Sequence, residues 1–429
     1  MTDTAYNRIL LQVLAAGSLL AQGTVTSTYT LPDIPLGQFQ NSVLPGTITN
    51  DRNFLLGGVG SGLWRHPEDG PNIYWMVTDR GANGLVQPGS KRTFPVPAFT
   101  PFILRVRAEQ DGSLAILDRI PITGLGASLN GVTGLSNTTR DETPYNCNAS
   151  ATLPFNPNGL DTEDLVRTHD GAFWLVEEYS PSIVKLDSTG RVEKRFIPAG
   201  VVLAGTDYVV SAVLPAIYGA KRKRNRGFEG LAITPNQKTL IAALQSPLSN
   251  PTSAVGNASR NTRLLLFDIE SELPVAEYVY RFQPSTEFAA TDPAEMKVSA
   301  VVALDEHRLL VLERTDAVAK IYRVDLRRGT NILGSRWDDL ATSPSLEALS
   351  NPAAAGVTVL PKDLVIDLST VPGVPQKIEG LAVLDDGMRI AISNDNDFDV
   401  GTFDANCNNV GAGAKSKILE IRLDAPLRK

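Results

Sequence analysis

A short two-strand pattern recurs along the chain at irregular intervals, and it constrains the fold more than any other feature. The clearest copies begin with Glu229-Gly-Leu-Ala and Glu379-Gly-Leu-Ala, and each runs through a turn into a second apolar segment. Looser copies begin at Gly60, Glu163 and Ser299. Short apolar segments bounded by Gly, Pro, Asp and Asn are typical of β-hairpins. The chain therefore contains five similar hairpins.

Most of these hairpins precede a further segment with alternating apolar residues, such as Lys320-Ile-Tyr-Arg-Val-Asp. Two successive hairpins make a four-stranded sheet, and repeated sheets of this kind are typical of a β-propeller. The sequence thus predicts an all-β fold, a β-propeller of six blades with four antiparallel strands each. The segment Thr28 to Gly46 is expected to complete a further blade and close the ring. Seven blades, or a pair of β-sandwiches, are the alternatives.

Composition and the N-terminus bear on partners and location. The net charge of −7 argues against nucleic acid as a partner, because phosphate binding needs a broad positive surface. Arg8 precedes an apolar stretch from Ile9 to Ala21, which has the length of a signal peptide and is too short to span a bilayer. We expect a signal peptide at residues 1–25, one propeller domain at residues 28–427, a periplasmic or secreted monomer, and no stable membrane insertion.

The two cysteines, Cys147 and Cys407, are far apart in the sequence. In an exported chain they can form one disulfide between distant parts of the fold, or they can remain two thiols. The sequence leaves both alternatives open.

The hairpins place acidic residues at one end of the propeller channel. The first strand of each blade lines the channel, and the antiparallel second strand returns to the face where the first began. This brings the hairpin starts, Glu163, Glu229 and Glu379, to one mouth of the channel. The hairpin ends are expected at the same mouth, and they are Asp79, Glu178, Glu313 and Asn394-Asp395. Crowded carboxylates must bind protons, accept hydrogen bonds or share a cation.

Calcium is the cation that such a ring of oxygen ligands favours. The predicted metal ligands are Asp79, Glu163, Glu229, Glu379 and Asp395. The predicted catalytic residues, which bind metal or position water, are Glu163, Glu178, Glu229, Glu313 and Glu379. Alternatively, each Glu only accepts hydrogen bonds from amides of the adjacent blade.

A basic segment, Lys221 to Arg226, leads directly into Glu229 and is expected to lie over the acidic mouth. Arginine binds phosphate oxygens in a bidentate manner, so Lys223 and Arg226 are interpreted as groups that hold an anionic substrate. The alternative is a solvated loop or a processing site.

Several familiar catalytic patterns are excluded. The three histidines, His66, His169 and His307, each fall in or near the turn of an inner hairpin, on the opposite face, where the register is expected to keep them from converging. No G-x-S-x-G motif is present. Metal-assisted chemistry, which needs no histidine, remains.

Several segments together resemble the phytase-like family described as having esterase-like activity of phytase. They are Asp79-Arg-Gly, Asp170 to Pro181, Asn225 to Ala232, and Lys297-Val-Ser-Ala with Leu312-Glu-Arg. The resemblance extends from about Leu55 to Leu423. It implies a propeller related in architecture to calcium-dependent phytases, commonly exported, that hydrolyses phosphate or other esters.

The positions that the resemblance implies for the site are Asp79, Arg80, Glu163, Glu178, Tyr179, Asn225, Arg226, Glu229, Lys297, Glu313 and Glu379. The chain departs from the pattern at Gln245 and Ser299, which thins the acidic ring.

The predicted function is therefore an exported, Ca²⁺-dependent hydrolase of small anionic phosphate esters. Its predicted substrate-binding residues are Arg80, Tyr179, Asn225, Arg226 and Lys297. The alternatives are a non-catalytic propeller that binds a ligand or protein, and a calcium-dependent lactonase or carboxylesterase.

Overall fold

The computed structural model describes residues 23–126, 131–384 and 387–427. Most of the predicted signal peptide lies outside the described residues. The described α-helices are short: α1 (Leu36–Asn41), α2 (Ala216–Lys221) and α3 (Ser253–Ala258). Short 3-10 helices lie at Ser285–Phe288, Pro293–Glu295, Leu326–Arg328, Arg336–Asp338, Leu346–Ala348, Pro352–Ala355, Leu368–Thr370 and Asp397–Asp399. Within the described part of the chain, no helix has both the length and the apolar character needed to cross a bilayer.

Strands form the rest of the regular structure. They are β1 (Gly23–Thr30), β2 (Gly62–Trp64), β3 (Ile73–Val77), β4 (Gly84–Val86), β5 (Lys91–Thr93), β6 (Phe102–Ala108), β7 (Leu114–Pro121), β8 (Pro144–Tyr145), β9 (Thr162–Arg167), β10 (Phe173–Glu177), β11 (Ser182–Leu186), β12 (Val192–Pro198), β13 (Val209–Leu214), β14 (Phe228–Ile233), β15 (Thr239–Leu244), β16 (Asn261–Asp268), β17 (Leu273–Arg281), β18 (Lys297–Ala303), β19 (Arg308–Arg314), β20 (Ala319–Asp325), β21 (Lys362–Asp367), β22 (Ile378–Val383), β23 (Arg389–Asn394), β24 (Thr402–Phe403), β25 (Asn409–Val410) and β26 (Lys417–Leu423).

Five large sheets, numbered here as blades in chain order, contain most of these strands. Blade 1 has the order β2-β3-β6-β7, blade 2 β9-β10-β11-β12-β13, blade 3 β14-β15-β16-β17, blade 4 β18-β19-β20-β21 and blade 5 β22-β23-β26-β1. In blade 2 the added outer strand β13 runs parallel to β12. Two small sheets, β4-β5-β8 and β24-β25, are inserted between blade strands.

The inner strands close into a ring. The strands β2, β9, β14, β18 and β22 pack against one another in that order, and β22 packs against β2. Glycine allows neighbouring inner strands to approach closely. A Cβ atom at Gly230 would lie 2.9 Å from the backbone nitrogen of Val301 in the next blade, which is too close for a side chain. The glycine of the repeated Glu-Gly pair thus has a packing role.

The ring is completed by strand β1, which pairs antiparallel with β26. The N-terminal strand therefore supplies the outer edge of the last blade and joins the two ends of the domain. The predicted all-β propeller is confirmed, but six blades are not. The segment Thr28 to Gly46 contributes the end of β1 and α1, and the described residues form five blades.

The apolar core lies between neighbouring blades. Ile241 of blade 3 and Val311 of blade 4 belong to one buried cluster, while Leu310 of blade 4 and Leu381 of blade 5 belong to another. Both faces of these sheets are covered, which explains why the second strands of blades 2 and 3, β10 and β15, are almost continuously apolar. This packing fixes the positions of the strand ends around the channel.

Cys147 and Cys407 form a disulfide, with 6.1 Å between their Cα atoms. Cys147 follows β8, and Cys407 lies between β24 and β25. The bond therefore ties the two inserted small sheets together across 260 residues of sequence. Of the two alternatives left open by the sequence, the structure contains the disulfide.

Candidate functional site

A β-bulge interrupts the inner hairpin of four blades at equivalent positions. The register shifts by one residue near the start of the inner strand of blades 2, 3, 4 and 5. The extra residues are Glu163, Glu229, Ser299 and Glu379. A bulge redirects the side chain of its extra residue, and the three glutamates line one cavity at the end of the channel.

The second strand of each hairpin brings another side chain to the same cavity. In blades 2 to 5 this side chain comes from the same position of the repeat, at or just after the end of the second strand. The four residues at this position are Glu178, Gln245, Arg314 and Asp395. Asp79 follows β3 in blade 1. All five residues line the cavity, which has a volume of about 150 Å³. The inner hairpins therefore collect their polar ends at one mouth, as the sequence predicted.

Charged groups of both signs line this cavity. The carboxylates are Asp79, Asp161, Glu163, Glu178, Glu229, Glu379, Asp395 and Asp397, and the cations are Arg80, Arg92, Arg226, Lys297, Arg314 and Lys377. They are not evenly mixed, because blade 2 contributes mainly acids and blade 4 contributes bases. The cavity is therefore electrically polarised.

The acidic side is centred on Glu163. One oxygen each of Glu163, Asp79 and Asp161 lie within 4.8 Å of one another, and the same holds for Glu163, Glu178 and Glu229. Among the described residues, Glu163 has no hydrogen-bond or ion-pair partner, and the buried Oδ1 of Asp161 and Oε1 of Glu178 accept no hydrogen bond. Glu163 thus links two groups of incompletely satisfied carboxylates.

Burial raises the pKa of Glu163 well above its ordinary value, and the neighbouring Glu229 and Glu178 act in the same direction. Burial and Glu229 also raise the pKa of Glu178, against the opposing influence of Arg80 and Arg226. Such carboxylates need a proton or a bound cation. An all-oxygen donor set suits a hard cation such as Ca²⁺ and lacks the nitrogen or sulfur that zinc prefers.

Arg80 holds one of these acids in place. Its Nη1 donates to Oδ2 of Asp161 at 2.8 Å, and its guanidinium lies 5.8 Å from the ring centre of Tyr179. Tyr179 donates its hydroxyl to the carbonyl of Gly134 and is not among the residues lining the cavity. Tyr179 therefore supports Arg80 from the side away from the cavity.

The basic side is formed by blade 4 and its neighbours. Lys297 Nζ and Arg314 Nη1 each lie 2.8 Å from Oδ1 of Asp316, whose side chain is 70% exposed. Arg314 also pairs with Glu379, and Lys377 lies 2.5 Å from Asp395. Two predicted metal ligands, Glu379 and Asp395, are thus engaged by cations.

Only the end of the basic segment reaches the cavity. Asn225 adopts a left-handed conformation with φ of 53°, which asparagine tolerates better than most residues. Asn225 Oδ1 and Arg226 Nη1 line the cavity region and are buried without a hydrogen-bond partner in the described part of the chain. Lys223, in contrast, donates to the carbonyl of Gly256 and does not line the cavity.

The structure does not bring Glu313 to this site. Its Oε1 accepts a 2.6 Å hydrogen bond from the backbone of Gln283, and its Oε2 accepts from Tyr280 and pairs with Lys362. The register makes Glu313 equivalent to Glu177 of blade 2, one residue before the cavity position. Successive residues of a strand face opposite sides of the sheet. Because Glu313 lies one residue before the cavity position, its side chain faces away from the cavity, and the prediction that it belongs to the site is wrong.

Sequence reasoning missed four charged residues of the cavity, which are Arg92, Asp161, Arg314 and Lys377. Asp161 and Lys377 directly precede their inner strands, at positions equivalent to the predicted Lys297. Arg314 is the true counterpart of Glu178. Aligning the hairpins residue by residue from their bulged positions would have found these three, whereas Arg92 lies in the inserted strand β5.

The histidines are arranged differently from the prediction. The rings of His66 and His169 are 5.4 Å apart at the opposite end of the channel. The expectation that the register keeps all histidines apart is therefore wrong for this pair. The turns of blades 1 and 2 lie side by side, whereas His307 belongs to the turn of blade 4.

Fold and site together define a β-propeller, with five blades in the described part of the chain and a polarised cavity at one mouth of its channel. The chain belongs to the phytase-like family: the family described as "Phytase-like: Esterase-like activity of phytase" matches residues 55–398. The resemblance seen in the sequence is thereby confirmed.

Relatives and solved structures extend the comparison. A protein of Arthroderma benhamiae named "Uncharacterized secreted protein" is 27% identical over 307 residues, and the match spans 60% of this chain but only 58% of that protein. Pseudomonas fluorescens PhoX, solved with vanadate, has a TM-score of 0.38 at 10% identity and covers 94% of this chain and 97% of its own. A luciferin-regenerating enzyme has a TM-score of 0.36 at 10% identity, with 86% and 92% covered. Scores this low say nothing about function.

Proposed function

We propose that this chain is an exported, calcium-dependent hydrolase of phosphate esters whose active site is the polarised cavity. One observation carries the proposal: the incompletely satisfied carboxylates of Glu163 and Glu178 share a single cavity with Arg226, Lys297 and Arg314. A bound cation and a phosphate group are complementary to these two sides. The family description, which names esterase-like activity of phytase, supports the same chemistry.

The acidic side would hold the calcium ion. The residues placed for this are Asp79, Asp161, Glu163, Glu178 and Glu229. Calcium, when bound, neutralises charge on ester oxygens and lowers the pKa of a coordinated water. Arg80 positions Asp161, and Gln245 and Ser299 position Glu229 by donating hydrogen bonds to its two oxygens. These supporting bonds hold two of the five carboxylates, those of Asp161 and Glu229, in place.

The basic side would bind the phosphate group. Nη1 of Arg226 is buried and has no hydrogen-bond partner among the residues that the structure describes, so it can donate to a substrate oxygen without breaking a bond seen there. Lys297 and Arg314 already hold a carboxylate, that of Asp316. An anionic substrate can take the place of this exposed side chain. Glu379 and Asp395 then orient Arg314 and Lys377, and they are positioning residues in this account.

Export is part of the proposal. The predicted signal peptide and the secreted relative both favour it. The disulfide between Cys147 and Cys407 also suits an oxidising compartment.

The experiment measures hydrolysis of p-nitrophenyl phosphate and p-nitrophenyl acetate after removal of metal with EDTA, followed by addition of calcium. We expect turnover of the phosphate ester that disappears with EDTA and returns with calcium. Activity unaffected by EDTA would overturn the metal requirement. Preference for the acetate would favour the carboxylesterase alternative, and no turnover of either ester would favour a non-catalytic propeller.

A further inference from the structure

A second cluster of ligand-type side chains lies at the opposite end of the channel. His66 and Glu68 belong to the turn between β2 and β3, and His169 belongs to the turn between β9 and β10. One ligand atom of each side chain lies within 4.8 Å of the other two. The proposed hydrolase chemistry uses none of these residues, because they lie on the other face of the propeller.

The three side chains converge from two blades. Nδ1 of His169 lies 3.0 Å from Oε1 of Glu68, and the rings of His66 and His169 are nearly perpendicular at 85°. The turns themselves are held by hydrogen bonds: the Asp69 amide donates to the His66 carbonyl, and the His169 amide donates to Oε1 of Gln237. The backbone is therefore anchored on both sides of the cluster.

The side chains differ in their freedom to move. His66 is 1% exposed, whereas the side chains of His169 and Glu68 are 51% and 67% exposed. A buried fixed ligand with two adjustable ligands beside it can close around an ion, because the ligand atoms need only approach to bonding distances of about 2.0–2.2 Å from the ion.

The ring of His66 is poorly satisfied without a ligand. Its Nδ1 accepts a long hydrogen bond of 3.3 Å from the Glu68 amide, and its Nε2 is buried with no hydrogen-bond partner in the described residues. Buried polar atoms without partners are uncommon and call for a structural reason. One ring nitrogen of His66 is therefore available to a ligand at the loss of a single weak hydrogen bond.

We propose that His66, Glu68 and His169 form a binding site for a divalent transition-metal ion of the Zn²⁺ type. Two imidazoles and one carboxylate are a ligand set that zinc binds and that calcium does not favour. Asp69 is not a fourth ligand, because its two oxygens already accept hydrogen bonds from Trp75 and Arg105. The fourth position is left to water or to a small ligand.

The surroundings give this fourth position space. His169 also lines a cavity of about 430 Å³ at this end of the channel, together with apolar residues such as Trp64, Val302 and Val383. Three protein ligands with an open position beside an apolar cavity are typical of zinc sites that bind or activate a small molecule. The metal ion can reach the site through the exposed side chains of His169 and Glu68.

The test is a zinc titration of the metal-free full-length protein by calorimetry, with calcium in excess to occupy the other mouth. We expect one zinc ion per chain in the wild type, and His169→Ala and Glu68→Gln are expected to weaken binding more than about tenfold. Both substitutions change exposed side chains, so they leave the fold intact. His307→Ala, which removes the remaining histidine from the turn of blade 4, is the matched control and should bind zinc normally.

A second readout separates this site from the calcium cavity. Co²⁺ bound by imidazole absorbs visible light, and this absorption should be present in the wild type and in Glu163→Gln but lost in His169→Ala. No zinc binding by the wild type, equal binding by His169→Ala, or loss of binding in Glu163→Gln would each overturn the proposal.

Discussion

Glu178 and Arg314 occupy the same position in their blades and carry opposite charges. Each comes at or directly after the end of the second strand of an inner hairpin. The Glu178 amide donates to the Asp161 carbonyl in blade 2, and Arg314 pairs with Lys297 in blade 4. The same pair of facing positions in the repeated hairpin therefore holds two acidic residues in blade 2 and two basic residues in blade 4. This exchange contributes to the polarity of the cavity on which the proposed hydrolase depends.

Replacing Arg226 tests the basic side. Arg226→Ala should raise KM for a phosphate ester about 10–100-fold, because a hydrogen bond to a charged group contributes about 1.5–3 kcal/mol. Steady-state kinetics with p-nitrophenyl phosphate measure the effect. Arg224→Ala, an exposed neighbour in the same basic segment, is the control. Equal KM values for the two variants would show that the guanidinium of Arg226 does not bind substrate.

Asp316 is expected to compete with substrate. Its exposed carboxylate neutralises Lys297 and Arg314, so Asp316→Asn should lower KM for a phosphate ester several-fold. The matched control is Asp363→Asn, since Asp363 is equally exposed and pairs with Arg323 of the same blade. An increase in KM would mean that Asp316 helps to arrange the two cations and does not compete with the substrate.

Calcium binding should depend on pH. Burial and mutual repulsion raise the pKa of Glu163 and Glu178, so in the metal-free protein these groups keep protons at a pH where ordinary carboxyl groups have lost them. The ion must displace those protons, and its affinity should therefore fall as the pH falls. Calorimetry in two buffers with different ionisation enthalpies measures the protons released. A binding enthalpy identical in both buffers would contradict this arrangement.

Glu313 is expected to stabilise the fold and to leave calcium binding unchanged. Glu313→Gln removes the carboxylate beside the buried Lys362, and breaking a buried ion pair in this way typically costs about 3–5 kcal/mol. Burial already lowers the pKa of Lys362 to about 8. The loss should therefore be smaller above that pH, where Lys362 is neutral and needs no counterion. Urea unfolding at two pH values measures it, and an unchanged stability would be the contrary result.

The repeat in the sequence was sufficient to predict the architecture and the face on which the acids gather. Glu229 and Glu379 were found because the Glu-Gly pair recurs at the same place in two hairpins, and Glu163 was found because it begins a similar hairpin, Glu163-Asp-Leu-Val. The prediction for blade 4 was wrong because its hairpin starts with Ser299, which offers no acid to align with the other blades. Glu313 was therefore assigned to the cavity in place of the adjacent residue, Arg314. Because side chains alternate between the two faces of a strand, an alignment error of one residue assigns the wrong face.

Two other features depend on packing between blades and not on the hairpin pattern. The blade count required knowledge of where β1 pairs, and pairing with β26 spans almost the whole chain. The approach of His66 to His169 required the two turns to be neighbours in the ring. The local alternation of apolar residues carries no information on the pairing of β1 with β26 or on which turns are neighbours. The sequence alone therefore did not predict the blade count or the approach of the two histidines.

Thermal unfolding of Glu163→Gln with and without calcium tests the central claim most directly. An ion that binds only the folded protein at 100 times its Kd stabilises it by about 2.7 kcal/mol. We expect calcium to raise the Tm of the wild type and of Glu313→Gln by similar amounts, and to leave that of Glu163→Gln almost unchanged. If calcium had no effect on the wild type, or raised the Tm of Glu163→Gln equally, the acidic side of the cavity would not be a calcium site.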